Sequence, residues 1–490
     1  MGRCSHPRSD KDHGGGETMK KMLTLGVFLM ILASWGAVPP LASDSPGDVL
    51  KSTLSSQGSS YARDFSFIEV PDSLSGKNPV YPVIDHKVPV CGKSFRDHQF
   101  NTLITRVTEQ KGIRHEYARF DPFNADQSMI LIHFPESGDF KVFRTASMPY
   151  ESNANLVRVI DMEEARWDPS DPDVMWGTED FAIFKFNVKT GDRKAIKDFA
   201  KDSTLGPIIK AEPDLYRITM KNEGESSVDK RFWAFGLQGS EEDYRLRYIF
   251  TWDRLDDNIL GVHKLSLHEA DLIDWLGMSA KGTWVLIGGD EGEGKTAGLV
   301  IANKELTQFH QIAHATAHSD VGVDSEGHEV IVMQNTRTDS IDLFPLDTKT
   351  KPMPEDSDDY GGTNIVPLMR LFYSSESPYG FNCGIHVSCN FPGYCLISTY
   401  MEPGIKEQNW LDRSIVLIKL DRKNPRVFYL AKVHNTTQEY WEETQATISC
   451  DGSKVVWASN WNQNVGEEDV FLLQLDMPDN WTDLLNKSEN

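Results

Sequence analysis

At 490 residues, with 39% apolar and 10% aromatic content, the chain can bury one large core or two or three ordinary ones. A formal net charge of −23 excludes a nucleic-acid binder, because counterion release needs a surface rich in Lys and Arg. A polyanionic ligand would have to meet a local basic site.

Residues 1–44 predict an upstream segment followed by a secretory signal. Lys20 and Lys21 precede an apolar run from Met22 to Trp35, which ends in small residues and prolines. That run is short for a bilayer span, so cleavage is expected, with Met19 as the true start and no stable membrane anchor afterwards. The expected location is secreted or periplasmic. The mature chain would keep Cys91, Cys383, Cys389, Cys395 and Cys450, an odd number that cannot all pair. Disulfides, a metal site or buried apolar positions all suit such cysteines. Sequons stand at Asn435, Asn480 and Asn486.

Residues 45–104 are expected to form an N-terminal segment carrying a strand that closes a ring against the last repeat. From residue 105 to 490 one pattern returns: a polar or aromatic start, a small turn with Asp and Gly, then a β-rich apolar run. It reads "RHEYARFDPFNADQSMILI", "ARWDPSDPDVMWG", "MKNEGESSVDKRFWAF", "LIDWLGMSAKGTWVLI", "AHSDVGVDSEGHEVIVM", "CGIHVSCNFPGYCLIST" and "TQATISCDGSKVVWASNW". Between these copies lie alternating segments such as "DFAIFKFNVKTGDRKAI" and "SIVLIKLDRKNPRVFYL", which suit outer strands. Long amphipathic helices are scarce. The pattern predicts an all-β fold, a seven-bladed β-propeller of four-stranded antiparallel blades.

Within the fourth copy, Gly289, Gly294, Lys295 and Thr296 match the spacing of a phosphate-binding loop. That loop needs a helix after it, and "AGLVIANKEL" reads instead as a strand, while Asp290, Glu291 and Glu293 would repel a polyphosphate. The stretch is expected to be the turn between the second and third strands of blade 4, with no nucleotide bound.

Aligning the copies on their apolar runs puts His115, Arg166 or Trp167, Asn222, Trp275, His318, His386 and Gln445 near the starts of the innermost strands, which converge on a central funnel. His318, His386 and Gln445 suit a divalent transition metal, zinc or manganese, with Cys389 as an alternative or additional ligand. In "RHEYARF", strand alternation sends His115, Tyr117 and Arg119 to one face, where they could supply a base, an acid and a carboxylate clamp. Tyr216 and Arg231 are candidates of the same kind, and Arg166 and Trp275 would line the substrate path.

Taken in order, "RHEYARFDPFNAD", "WDPSDPDVMW", "EGESSVDKRFWAF", "HSDVGVDSEGHEVIV", "HVSCNFPGYCLIST" and "ISCDGSKVVWASNW" resemble the blades of the seven-bladed polysaccharide lyases, the oligogalacturonate and ulvan lyases, over roughly residues 105–475. The resemblance implies β-elimination on a uronic-acid polysaccharide or oligosaccharide, with a His or Tyr as base and acid and a metal or Arg/His neutralising the carboxylate. His115 is then the expected base and Tyr117 the acid. Members of the oligogalacturonate type place a further His in the last blade, where this chain has "ETQAT". A non-catalytic exported propeller that binds a glycan or a protein partner is the alternative expectation.

Overall fold

In the computed structural model the described residues are Tyr61 and 65–487, apart from 241–242, 356, 372–382, 405, 408, 464–465 and 467–468. The upstream segment and the signal read from residues 1–44 lie outside them. Seven antiparallel sheets follow one another along the chain. Blade 1 contains Met129–Phe134, Asp139–Arg144 and Leu156–Ile160, and its innermost segment is irregular, joined by isolated bridges at Arg114 and Phe123. Blades 2 to 5 have four strands each, beginning at Glu163, Arg217, Ile273 and Ser319. Blades 6 and 7 begin at Cys383 and Thr447 and hold five strands each. The chain is an all-β seven-bladed propeller with few helices.

The N-terminal segment makes the fifth strands. Leu103–Arg106 pairs with Phe471–Asp476 of blade 7, and Ser94–Arg96 lies outside it. Leu103–Arg106 thus adds a strand to blade 7, and the boundary drawn between residues 104 and 105 falls inside that strand. Upstream, Ile68–Glu69 adds a further strand to the outer edge of blade 6 against Arg426–Lys432. The sequence reading did not anticipate this second attachment, since a two-residue strand carries no alternation to read.

Each blade is buried on both faces, which explains why its strands read as nearly continuous apolar runs. In Glu329–Asn335, Val330 and Val332 pack toward blade 6, while Ile331 and Met333 pack toward blade 4. Side chains of one strand thus feed two interfaces by simple alternation. Seven apolar clusters fill the seven blade junctions, with Val456 and Leu472 against Ile113 and Ile130 at the seam between the last blade and the first. Fully burying one such side chain contributes about 1.5–3 kcal/mol.

The phosphate-loop match lies where the pattern placed it, between the strands Val285–Gly289 and Leu299–Ala302 of blade 4. Residues 291–295 are exposed, and Leu299–Ala302 is a strand where nucleotide binding would need a helix.

Candidate functional site

The innermost segments bring side chains from distant blades together. Tyr117 of blade 1 reaches His318, which immediately precedes the first strand of blade 5, with its hydroxyl 3.4 Å from Nδ1. The His318 ring lies 4.6 Å from that of His386 in blade 6, edge to face, and Tyr117 packs its own ring 5.5 Å from His386. His386 is fully buried and its Nε2 meets Glu443 Oε2 at 2.6 Å. Tyr400 stacks on the other side, ring centroids 5.7 Å apart. Gly384 stands opposite Tyr400 in the sheet, and a Cβ there would meet the phenol at 2.2 Å, so only glycine leaves room for that ring. Tyr117, His318, Tyr400 and Glu443 are half-buried.

The electrostatics follow from this crowding. Burial would push the Glu443 carboxyl up, but the hydrogen bond and charge of His386, with smaller help from His318 and Tyr400, bring it below its ordinary value. The Tyr117 phenol is raised well above its usual value, first by burial and then by the nearby Glu223 charge, which keeps it protonated. Two residues after His318, Asp320 is buried, and desolvation pushes its carboxyl up to about 8 although its Oδ2 accepts the Cys389 N–H at 2.5 Å.

Of the remaining expected residues, Arg119 lies at the centre but is engaged. Its Nε donates to the Ser319 carbonyl at 2.5 Å, its two terminal nitrogens donate to Ser319 Oγ and the Glu223 carbonyl, and its guanidinium faces Trp275. Trp275 is 2% exposed and belongs to the junction between blades 4 and 5, so it forms the wall and offers no open face to a sugar. Arg166 pairs with both Glu116 oxygens, at 3.0 and 2.9 Å, and lies over Phe120.

His115 does not join the cluster. Its segment is no regular strand, so the expected alternation with Tyr117 and Arg119 fails, and the imidazole turns to the Gln445 carbonyl, 2.5 Å from Nε2. It is fully buried, and desolvation, followed by the Arg114 charge, lowers it to about 3. Tyr216 sits beside Arg217 and donates its backbone N–H to the Gln238 carbonyl, and Arg231 is held by Asp253 and Asp256, so both are engaged away from the histidine pair.

The expected metal set is likewise divided. His318 and His386 are adjacent, but Cys389 is packed in the apolar junction between blades 5 and 6, and Gln445 meets His115 through its main chain. Among the described residues no three or more His, Cys, Asp or Glu side chains are disposed to hold an ion. Glu443 and Tyr400 escaped the sequence reading. Glu443 lies in an irregular stretch before the short strand Thr447–Ile448, where alternation gives no face to read, and Tyr400 was legible only as the cross-strand partner of a glycine.

No protein-family model matches the chain, and no curated protein matches it. Among solved structures, an oligogalacturonate lyase from Vibrio parahaemolyticus is similar with a TM-score of 0.50 at 10% identity, covering 79% of this chain and 96% of that one. The WD40 domain of Pan2 from Neurospora crassa gives 0.40 at 9% identity over 76% and 95%. The Cps50 (Swd1) β-propeller domain from Myceliophteria thermophila gives 0.39 at 11% over 74% and 97%. At such identities the likeness shows the fold alone: this chain is a seven-bladed β-propeller whose blades 1, 5, 6 and 7 meet in a cluster of two tyrosines, two histidines and a glutamate.

Proposed function

We propose that the chain is an exported lyase that cleaves an acidic polysaccharide or oligosaccharide by β-elimination, acting at the Tyr117, His318 and His386 cluster. The observation that carries the reading is the 3.4 Å approach of Tyr117 Oη to His318 Nδ1, which joins a protonated phenol to an imidazole at the end of the innermost strands. The proton α to a uronate carboxylate leaves only when the carboxylate charge is met and the developing enolate is stabilised. His386, whose Nε2 is held by Glu443 and whose ring lies 4.6 Å from that of His318, is the polar group beside the base that would meet the carboxylate. Neutral His318 then takes the α proton, the C–O bond to the leaving sugar breaks, and Tyr117 protonates the leaving oxygen. The proton on His318 can return to Tyr117 across their contact. The base thus passes from His115 to His318, while the phenol keeps the acid role.

A second reading, a non-catalytic exported propeller that binds a glycan or protein, is favoured by the commitment of Arg119 to Ser319 and Glu223. It leaves the carboxylate without an arginine clamp. The two readings separate on a panel of pectic, ulvan and glycosaminoglycan substrates followed by ultraviolet absorbance of the unsaturated product. A rise with the wild type, reduced about 10²–10⁴-fold in Tyr117→Phe, is expected for the lyase. No rise on any of them, with zinc or manganese also supplied, would leave the binding propeller.

A further inference from the structure

Blade 6 carries three cysteines that the proposed reaction does not use, and two of them, Cys389 and Cys395, flank its first turn. Its first two strands, Cys383–Ser388 and Tyr394–Met401, run antiparallel with Val387 opposite Ile397 and Ser388 opposite Leu396. One residue further, that register sets Cys389 opposite Cys395. Directly opposed residues project from the same face with Cβ atoms about 4.5–5.5 Å apart. The two side chains accordingly belong to the same apolar cluster, at 4% and 0% exposure, as free thiols. Blade 5 confines Cys389 from the other side, since a Cβ on Gly322 would come within 2.9 Å of the Cys389 Cβ.

We propose that Cys389 and Cys395 are joined by a disulfide, a modification site that locks the hairpin beneath the histidine cluster. The two thiols give up two protons and two electrons to an incoming disulfide, such as oxidised glutathione, which leaves as two thiols, and the new S–S bond closes the loop Asn390–Tyr394. Neither sulfur is open to solvent in the finished blade, so exchange takes place before blade 6 packs on blade 5. Once made, the bond fixes the backbone N–H that Cys389 gives to Asp320, and it lies three residues from His386.

The test uses the full chain, refolded from denaturant in a glutathione redox buffer, so it is independent of the export and lyase readings. The refolded protein is unfolded again, alkylated with iodoacetamide and cut with trypsin, which leaves Cys383, Cys389 and Cys395 on one peptide because no Lys or Arg lies between Leu371 and Lys406. That peptide should be lighter by two hydrogens, carry one alkyl group on Cys383, and resist fragmentation only between residues 389 and 395. Cys91 and Cys450 should be alkylated. Cys389→Ser and Cys395→Ser should each leave the remaining thiol alkylated, with the circular dichroism of the wild type confirming a folded control. Alkylation of both Cys389 and Cys395 in protein that has refolded, or pairing of either with Cys383, Cys91 or Cys450, would overturn the proposal.

Discussion

Arg119 of blade 1 rests its guanidinium 4.3 Å from the ring centroid of Trp275 in blade 4, three blades away. A cation over an indole face contributes about 0.5–2 kcal/mol, more as water is removed. With its nitrogens also bound to Ser319 and Glu223, Arg119 ties four blades together across the centre. Two residues that suggested substrate contacts in the sequence therefore brace the ring.

The first prediction separates His115 from His318. His115→Asn should lower stability, because a buried ring that bonds the Gln445 carbonyl is replaced by a shorter side chain, while turnover per folded molecule stays within about threefold of wild type. His318→Asn should do the reverse and cut turnover by about 10²–10⁴-fold with an unchanged melting temperature. Equal losses of turnover in the two variants would remove His318 from the base role.

The second concerns pH. Asp320 has its carboxyl raised to about 8 in the folded chain, mainly by burial, against an ordinary value of 3.8. The native state therefore binds more protons between these values, and the contribution is full below about 4 and lost progressively as pH rises to 8. Asp320→Asn keeps an acceptor for the Cys389 N–H without the titration. Its stability relative to wild type should rise from pH 4 to pH 8, by at most about 1.4 kcal/mol per pH unit, in denaturant melts at each pH. A difference independent of pH would show that Asp320 is ionised in the fold.

Third, Lys295 lies exposed in the turn between two strands of blade 4. Lys295→Ala should alter stability by less than about 0.5 kcal/mol and leave any lyase activity unchanged. Magnesium-dependent ATP binding by the wild type, seen by calorimetry, would contradict the turn assignment.

Fourth, the division of His318 and His386 from Cys389 and Gln445 makes chelation informative. Dialysis against EDTA should leave turnover unchanged. Loss of activity that zinc or manganese restores in the wild type, and not in His318→Asn, would mean that the histidine pair gathers other donors around an ion.

The blade order was legible because a two-sided β interface demands alternation, and seven copies of one turn kept that alternation in phase. The site was harder to read, since phase must hold to a single residue. The positive-φ glycines Gly327 and Gly393 close equivalent turns in blades 5 and 6. Seven residues before each stand Asp320 and His386, so His386 matches Asp320, and His318 matches Gly384. The two histidines were aligned as one level of the funnel and in fact occupy two, which lets their rings meet edge to face. His115 was misplaced for a related reason: between Gly112 and Pro122 the chain turns instead of running straight, and period-two reasoning has nothing to act on.

Closure of the ring by Leu103–Arg106 has a consequence for synthesis. Arg106 pairs with Leu473, a partner made 367 residues later. At about 5–20 residues per second that strand waits roughly 20–70 s on the ribosome before its neighbour exists. During that time its unpaired edge can recruit another nascent chain, so crowded translation, more than thermal stress on the finished ring, is where this fold is exposed to aggregation.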